Sequence, residues 1–319
     1  MKINMNRTQW NTFRNRYMER RMFHLGSKKI FSVLRVHFMV KLYTYFELFF
    51  LRRLVFPCVE YVVTTRCSLR CRDCSNYIPY ITPENHYTVT LDTFKSDVRN
   101  FLCGVNGINL FGILGGEPLL NRELPSIMEY ACGEKRIKHV LIITNGTLMV
   151  SPELLQVLKK YRKKCSVVIS NYTANKELDC ILKSKDIKKL LIQNGVNCRM
   201  DENLRWISVK KFQDMKRSDI EKKAYFNSCC CFAYSILRSR LYICPRGSSF
   251  AALNLYESKA SDYIDLTTPC NPQNFIDFFK NDCWSACNFC TINMTEQEKV
   301  LPAIQWPVAP YLLKDENNQ

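Results

Sequence analysis

Three cysteines, Cys67, Cys71 and Cys74, follow a mostly apolar run, Val59 to Val63, at the spacing C-x3-C-x2-C. A short, Val-rich run of that kind reads as a buried strand, so the cysteines occupy the loop beyond its end. Three thiolates this close in sequence can grip three irons of a cubane cluster, because iron–sulfur clusters are built on Cys sulfur. A four-iron cluster normally takes four cysteines, so the loop leaves one iron open. A zinc knuckle would need four ligands, usually as two separated pairs. Arg66, Arg70 and Arg72 are expected to favour the thiolates, since nearby positive charge lowers a thiol pKa.

Around that loop the chain alternates short apolar runs with longer amphipathic ones. Strands are expected at Val59–Thr64, Ile108–Leu114, His139–Thr144 and Ser166–Ser170. Helices are expected at Leu91–Leu102, Glu123–Cys132, Pro152–Lys163 and Asn175–Gln193, with a further charged, helix-like segment from Lys210 to Lys223. This rhythm implies an α/β fold with a parallel sheet and crossover helices, whose chemistry gathers at the C-terminal strand ends. The distinctive residues fall there: the cysteine loop after the first strand, Gly115-Gly116-Glu117-Pro118 after the second, Thr144-Asn145-Gly146 at the third, Ser170-Asn171 at the fourth. Each short motif also reads as a cap or turn.

The net charge of +17 is unevenly placed. Residues 1–56 carry four Lys and eight Arg against two Glu, which is +10, so the other 263 residues hold only +7. This stretch reads as basic helical material with Val33, Leu34, Phe38, Leu42, Tyr45, Phe46, Phe49 and Phe50 at roughly helical spacing. Packed on the domain it is structural; laid on an anionic membrane surface it would make the protein membrane-peripheral; against phosphates it would be a nucleic-acid arm. The run Ile30 to Pro57 is interrupted by Arg35, His37, Lys41, Glu47, Arg52 and Arg53, which a spanning helix would not bury. Seventeen cysteines in a long chain whose polar, basic start has no apolar signal stretch point to a reducing cytoplasm and metal-bound thiolates.

Cys67-Ser68-Leu69-Arg70-Cys71-Arg72-Asp73-Cys74, followed by Gly115-Gly116-Glu117-Pro118, resembles the radical S-adenosylmethionine superfamily. The resemblance implies a partial (β/α) barrel over roughly residues 57–200. It also implies a [4Fe-4S] cluster on Cys67, Cys71 and Cys74, with S-adenosylmethionine chelating the open iron. One electron then releases a 5′-deoxyadenosyl radical that abstracts hydrogen from the substrate. Gly115, Gly116, Glu117 and Pro118 become the methionine-binding edge, their amides and the Glu117 carboxylate taking the amino-acid end. Thr144, Asn145 and Ser170 become further cofactor contacts. Asp73 departs from the family, which often carries an aromatic residue there, and this puts an adenine contact in doubt. A flavodoxin- or ferredoxin-like electron donor is implied.

A second set comprises Cys229, Cys230 and Cys231, then Cys244, then Cys283, Cys287 and Cys290. Leu237 to Pro245 has the alternation of a hairpin strand ending on a cysteine. The set resembles the auxiliary-cluster region of the SPASM and twitch subgroup, with Ser239 where Gly is usual. The resemblance makes Cys244, Cys287 and Cys290 ligands of a second [4Fe-4S] cluster, together with one of Cys229, Cys230 and Cys231, among which spacing does not choose. No cysteine follows Cys290, so the shorter twitch arrangement fits. The expected organisation is a basic extension (1–56), a radical core (57–210), a twitch-like region (211–300) and a tail (301–319).

The expected activity is hydrogen abstraction from a sugar- or aminocyclitol-like or peptide substrate, with the auxiliary cluster accepting an electron. An RNA-modifying enzyme and a non-enzymatic zinc-binding interaction module are the alternatives; nucleic acid is the less favoured partner. His86 and Arg199 could face the pocket or solvent.

Overall fold

The computed structural model describes residues 34–200, 206–209, 212–229, 231, 233–291 and 298–312, with backbone alone for 34–41. Most of the basic extension, Cys230 and the terminal Asp315–Gln319 lie outside the described residues.

The sheet is built on β1 (Val55–Thr64), which is buried along almost its whole length. Such continuous burial needs cover on both faces, and parallel neighbours joined by crossover helices supply it. β1 pairs in parallel with β2 (Gly107–Gly115), β2 with β3 (Ile137–Thr144), β3 with β4 (Cys165–Ile169), and β4 with β5 (Cys198–Met200). α2 (Leu91–Gly104), α3 (Leu124–Gly133), α4 (Pro152–Lys160) and α5 (Ser184–Gln193) make the crossovers. Thr90 and Ser151 cap α2 and α4 through Thr93 N and Leu154 N, relieving donors that a helix start leaves unpaired. Behind the sheet, Phe94, Val98 and Phe101 of α2 join Val59, Tyr61 and Val63 of β1 in the main core.

The first four expected strands are present, each extended or trimmed by a few residues. The expected helix Asn175–Gln193 is not one helix. It is a 3-10 turn at Lys176–Leu178 followed by α5. Asn175 caps the turn through Glu177 N and donates to Ala303 O, while Lys183 N bonds Gly146 O. These tertiary bonds draw the chain off the helical path. Likewise the charged segment from Lys210 becomes helical only at α6 (Asp219–Asn227), started by a Ser218–Glu221 capping box.

β6 (Trp206–Ile207) pairs antiparallel with Lys299–Val300 in a separate two-stranded ribbon, while β7 (Tyr234–Leu237) runs parallel beside β1, and β8 (Arg240–Tyr242) and β9 (Tyr263–Asp265) add antiparallel to it, giving the order β5-β4-β3-β2-β1-β7-β8-β9. The hairpin turn places Arg238 and Ser239 at φ 51° and 55°, the left-handed pair that suits a two-residue hairpin. Ser239 thus occupies a position where Gly would be less strained. Phe275 of α8 (Pro272–Lys280) packs edge-on to Phe56 and Phe101, so the cysteine-rich region shares the core of the parallel sheet.

α1 (Leu34–Phe49) packs across the sheet with Thr44, Glu47 and Leu48 buried. Asn109 of β2 donates to Thr44 Oγ1, and Arg53 pairs with Glu47 at 3.1 Å. Leu42, Phe46 and Phe50 stay exposed. No helix among the described residues is long and apolar enough to cross a membrane.

Candidate active site

The loop after β1 is held from three directions. From β2, Gly116 N donates to Thr64 O and Glu117 N to Arg66 O, both at 2.8 Å. A Cβ on Gly115 would meet Thr64 O at 2.2 Å, and one on Gly116 would meet Arg66 O at 2.3 Å and Cys67 Cβ at 2.9 Å. The glycines therefore let the end of β2 lie against the cysteine loop itself. The amides of Gly116 and Glu117 are thus spent on the loop carbonyls.

Glu117 is fully buried and turned inward. Its Oε1 accepts from Leu119 N at 3.1 Å and Thr144 Oγ1 at 2.8 Å, and its Oε2 from Asn145 N at 2.7 Å. Burial raises its pKa, opposed by these bonds. The carboxylate thereby locks β2 to β3. Pro118 is buried at the start of a 3-10 turn.

From β3, Asn145 Nδ2 reaches Ser68 Oγ at 2.9 Å and Cys67 Sγ at 3.6 Å, and Thr147 Oγ1 lies 2.6 Å from Ser68 Oγ. From the far end of the chain, Gln305 Nε2 donates to Cys71 Sγ at 3.4 Å, and Arg72 N bonds Ile304 O at 2.7 Å. Cys74 is approached by the amides of Ile78, Asn76 and Tyr77. Each of the three sulfurs thus has an N–H donor aimed at it, an arrangement that suits thiolate ligands.

Burial pushes the Cys67 thiol up to about 12 and raises Cys71 and Cys74 as well. The three loop arginines do not counter this. Arg70 reaches Trp306 O and Pro307 O, Arg72 lies 3.9 Å from Asp73, and Arg66 is exposed. The expectation that they hold the thiolates deprotonated is corrected: buried thiols here need the charge of iron, which the [4Fe-4S] reading supplies. Among the described residues no three Cys, His, Asp or Glu side chains converge on one single-ion site.

A cavity of about 690 Å³ opens over the strand ends. Its wall includes Cys74, Gly115, Gly116, Thr144, Asn145 and Ser170 from the core, and Cys229, Cys231, Cys244 and Cys290 from the second set. Asn171 instead closes a turn onto Thr173. His86 bonds Thr65 and lines a separate open groove beside Cys67, with Arg66 and Arg122. Arg199 is exposed. Asp73 is buried and accepts from Ser208 Oγ and Val209 N, drawing the wall segment 206–209 over the cavity.

In the second set, Cys244 caps α7 (Pro245–Ala252), its Sγ accepting from Gly247 N at 3.3 Å. Cys287 is buried, its thiol pushed up to about 12 first by burial and then by Cys290, Cys229 and Cys283. Cys229 accepts from Cys231 N, whereas Cys231 turns its own thiol to Ala233 O. Arg217 Nη1 donates to Cys287 O at 2.6 Å, Cys290 O at 3.1 Å and Asn288 O at 3.3 Å, with the guanidinium 4.1 Å over the Tyr225 ring. Arg246 lies 4.0 Å from Cys290 Sγ and 5.9 Å over Tyr77, just past Cys74.

Residues 61–199 match the Radical SAM superfamily. The antilisterial bacteriocin subtilosin biosynthesis protein AlbA of Bacillus subtilis (strain 168) is 31% identical over 173 residues, 51% of this chain and 37% of that protein. A GTP 3′,8-cyclase of Syntrophomonas wolfei is 35% identical over 92 residues, 28% and 27% of the two chains. The chain therefore spans well under two thirds of these relatives. Streptococcus suis SuiB bound to S-adenosylmethionine aligns at TM-score 0.35 and 21% identity, covering 57% of this chain and 38% of that one. Native anSMEcpe with bound AdoMet aligns at 0.34 and 20%, covering 45% and 42%. The stretch matched to the radical SAM superfamily, residues 61–199, holds the cysteine loop and the strand ends that meet it. The cysteine-rich region from Cys229 to Cys290 lies beyond the matched residues.

Proposed function

We propose that this chain is a radical S-adenosylmethionine enzyme that abstracts hydrogen from a peptide substrate and returns an electron through a second cluster. The observation that carries the reading is the single cavity walled by cysteines of both sets. When bound, the cluster and S-adenosylmethionine supply a 5′-deoxyadenosyl radical. The chain's own residues hold the parts in place. Asn145 and Gln305 orient Cys67 and Cys71, Glu117 fixes Asn145, and Gly115, Gly116, Thr144 and Ser170 offer wall against which the cofactor would lie.

For the second cluster we assign Cys229, Cys244, Cys287 and Cys290. Cys229 is preferred over Cys231 because its sulfur lies within electrostatic reach of Cys287, while the Cys231 thiol donates to Ala233 O. Arg217 clamps the Cys287–Cys290 turn. A ligand set complete in cysteine leaves no iron for substrate, so this cluster serves electron transfer. The groove holding Arg66 and Arg122 beside Cys67 is a cationic approach for an acidic donor such as flavodoxin or ferredoxin.

A peptide substrate is supported by the similarity to AlbA, named for bacteriocin biosynthesis. The cyclase relatives support a nucleotide as the second reading. Anaerobic reconstitution with S-adenosylmethionine and dithionite tests the proposal: 5′-deoxyadenosine should form, and its absence would overturn it.

A further inference from the structure

β1 carries one charged residue, Glu60, at its centre. Strand alternation puts Cys58, Glu60 and Val62 on the face away from the helices, where Glu60 lines the cavity. Its lateral neighbours are Gly112 on β2 and Ser235 on β7. Gly112 leaves the room, since a Cβ there would meet Glu60 Cγ at 3.3 Å. The Ser235 hydroxyl is taken by Ser248. Around them the inner face is apolar, with Leu114 and Ile143 on the same wall.

Among the described residues Glu60 has no hydrogen bond and no ion pair. It is the one residue of β1 that is only partly buried, because its side chain opens on the cavity, and its desolvation still pushes the carboxyl up to about 7. A carboxylate in so apolar a setting costs free energy unless something pairs with it. The wall's other acids are Asp73, already engaged by Ser208 and Val209, and Glu298, whose backbone carbonyl accepts from Ser208 N. The cation on the wall, Arg246, lies against Cys290 and Tyr77 at the cluster side. Glu60 sits four residues before Thr64, about 13 Å down the strand at ~3.3 Å per residue. It is thus below the cysteine loop, on the cavity side of the strand.

We infer that Glu60 is the substrate anchor of the cavity, pairing with a cationic group, the ammonium of a lysine or the guanidinium of an arginine, in the peptide this site takes. The inference rests on the peptide reading above and names what that reading leaves open. A carboxylate with no partner among the described residues, on the cavity wall, attracts a cationic side chain and repels a polyanion such as a nucleoside triphosphate.

The test measures binding, not turnover. Reconstituted protein with S-adenosylmethionine is titrated calorimetrically with the pentapeptides Gly-Gly-Lys-Gly-Gly, Gly-Gly-Arg-Gly-Gly, Gly-Gly-Glu-Gly-Gly and an Nε-acetyl-lysine analogue. The Lys and Arg peptides should bind at least about tenfold tighter than the Glu and acetylated ones, as for a desolvated charge pair. Glu60→Gln should erase the difference. Equal affinities in the wild-type protein, binding of none of the peptides, or a preference that survives in Glu60→Gln each overturn the inference. The acetylated peptide reads the same contact from the ligand side, so the result stands even where the variant folds poorly. Wild-type protein that cleaves S-adenosylmethionine without discriminating the peptides refutes Glu60 alone. Wild-type protein that discriminates without cleaving refutes the proposed function and leaves the anchor standing.

Discussion

Replacing Arg217 by Met keeps the aliphatic stem and removes the guanidinium that gathers three carbonyls, those of Cys287, Asn288 and Cys290. Hydrogen bonds from a charged donor are worth roughly 1.5–3 kcal/mol each, but one nitrogen serves all three here and the side chain is partly exposed. Counting the shared donor once and adding about 0.5 kcal/mol for the stack on Tyr225 gives a loss of about 2 kcal/mol. At roughly 2 °C per kcal/mol for a chain of this size, the melting temperature should fall by about 4 °C. The larger effect is local. The carbonyls held by Arg217 belong to the turn carrying Cys287 and Cys290, so iron in the reconstituted variant should drop from about eight per chain toward about four. Metal analysis with a parallel thermal melt reads both. Unchanged iron and an unchanged melt would refute the clamp.

Three further outcomes are expected. Glu60 is pushed up to about 7 from an ordinary value of 4.5. A raised carboxyl pKa favours the protonated folded state, so stability should decline as pH rises from about 4.5 through about 7, by at most about 3 kcal/mol. Urea melts at pH 5 and 8 should show this slope in wild type and a flatter one in Glu60→Gln; equal slopes would contradict it. Gly116→Ala drives a Cβ to 2.3 Å from Arg66 O and should cost about 3 kcal/mol or more, with loss of loop-cluster absorbance; a variant that reconstitutes normally would contradict the close approach. Gln305→Ala removes the donor to Cys71 Sγ and should lower the loop cluster's reduction potential by some tens of millivolts, roughly, as hydrogen bonds to cluster sulfur raise it; redox titration followed by electron paramagnetic resonance reads the shift, and an unmoved potential would contradict the contact.

The strand-end motifs were legible because each lies within a few residues of a strand that its own apolar run announces. Cys67, Cys71, Cys74, Gly115, Gly116, Thr144, Asn145 and Ser170 meet at one end of the sheet for that reason. What escaped depends on contacts far apart in sequence. Gln305 reaches Cys71 across 234 residues, and nothing near Gln305 marks it. Arg217 grips a turn some 70 residues away. Glu117 carries a charge that suggests a ligand contact, yet its three inward hydrogen bonds show only in three dimensions. Glu60 did leave a signal: a lone acid in a strand that is otherwise apolar, which deserves a cavity in any parallel sheet. The break of the expected helix at Asn175 followed from a tertiary bond to Ala303, which no local propensity reports.

The central claim is that one loop cluster opens the chemistry while a separate cysteine set holds a second cluster. Its most direct test is iron and sulfide counting beside 5′-deoxyadenosine formation, in the wild-type protein and in Cys71→Ala, both reconstituted anaerobically. Two clusters predict about eight irons in the wild type and about four in the variant, with 5′-deoxyadenosine formed by the wild type alone. About four irons in both proteins, or nucleoside released by Cys71→Ala at the wild-type rate, would contradict it.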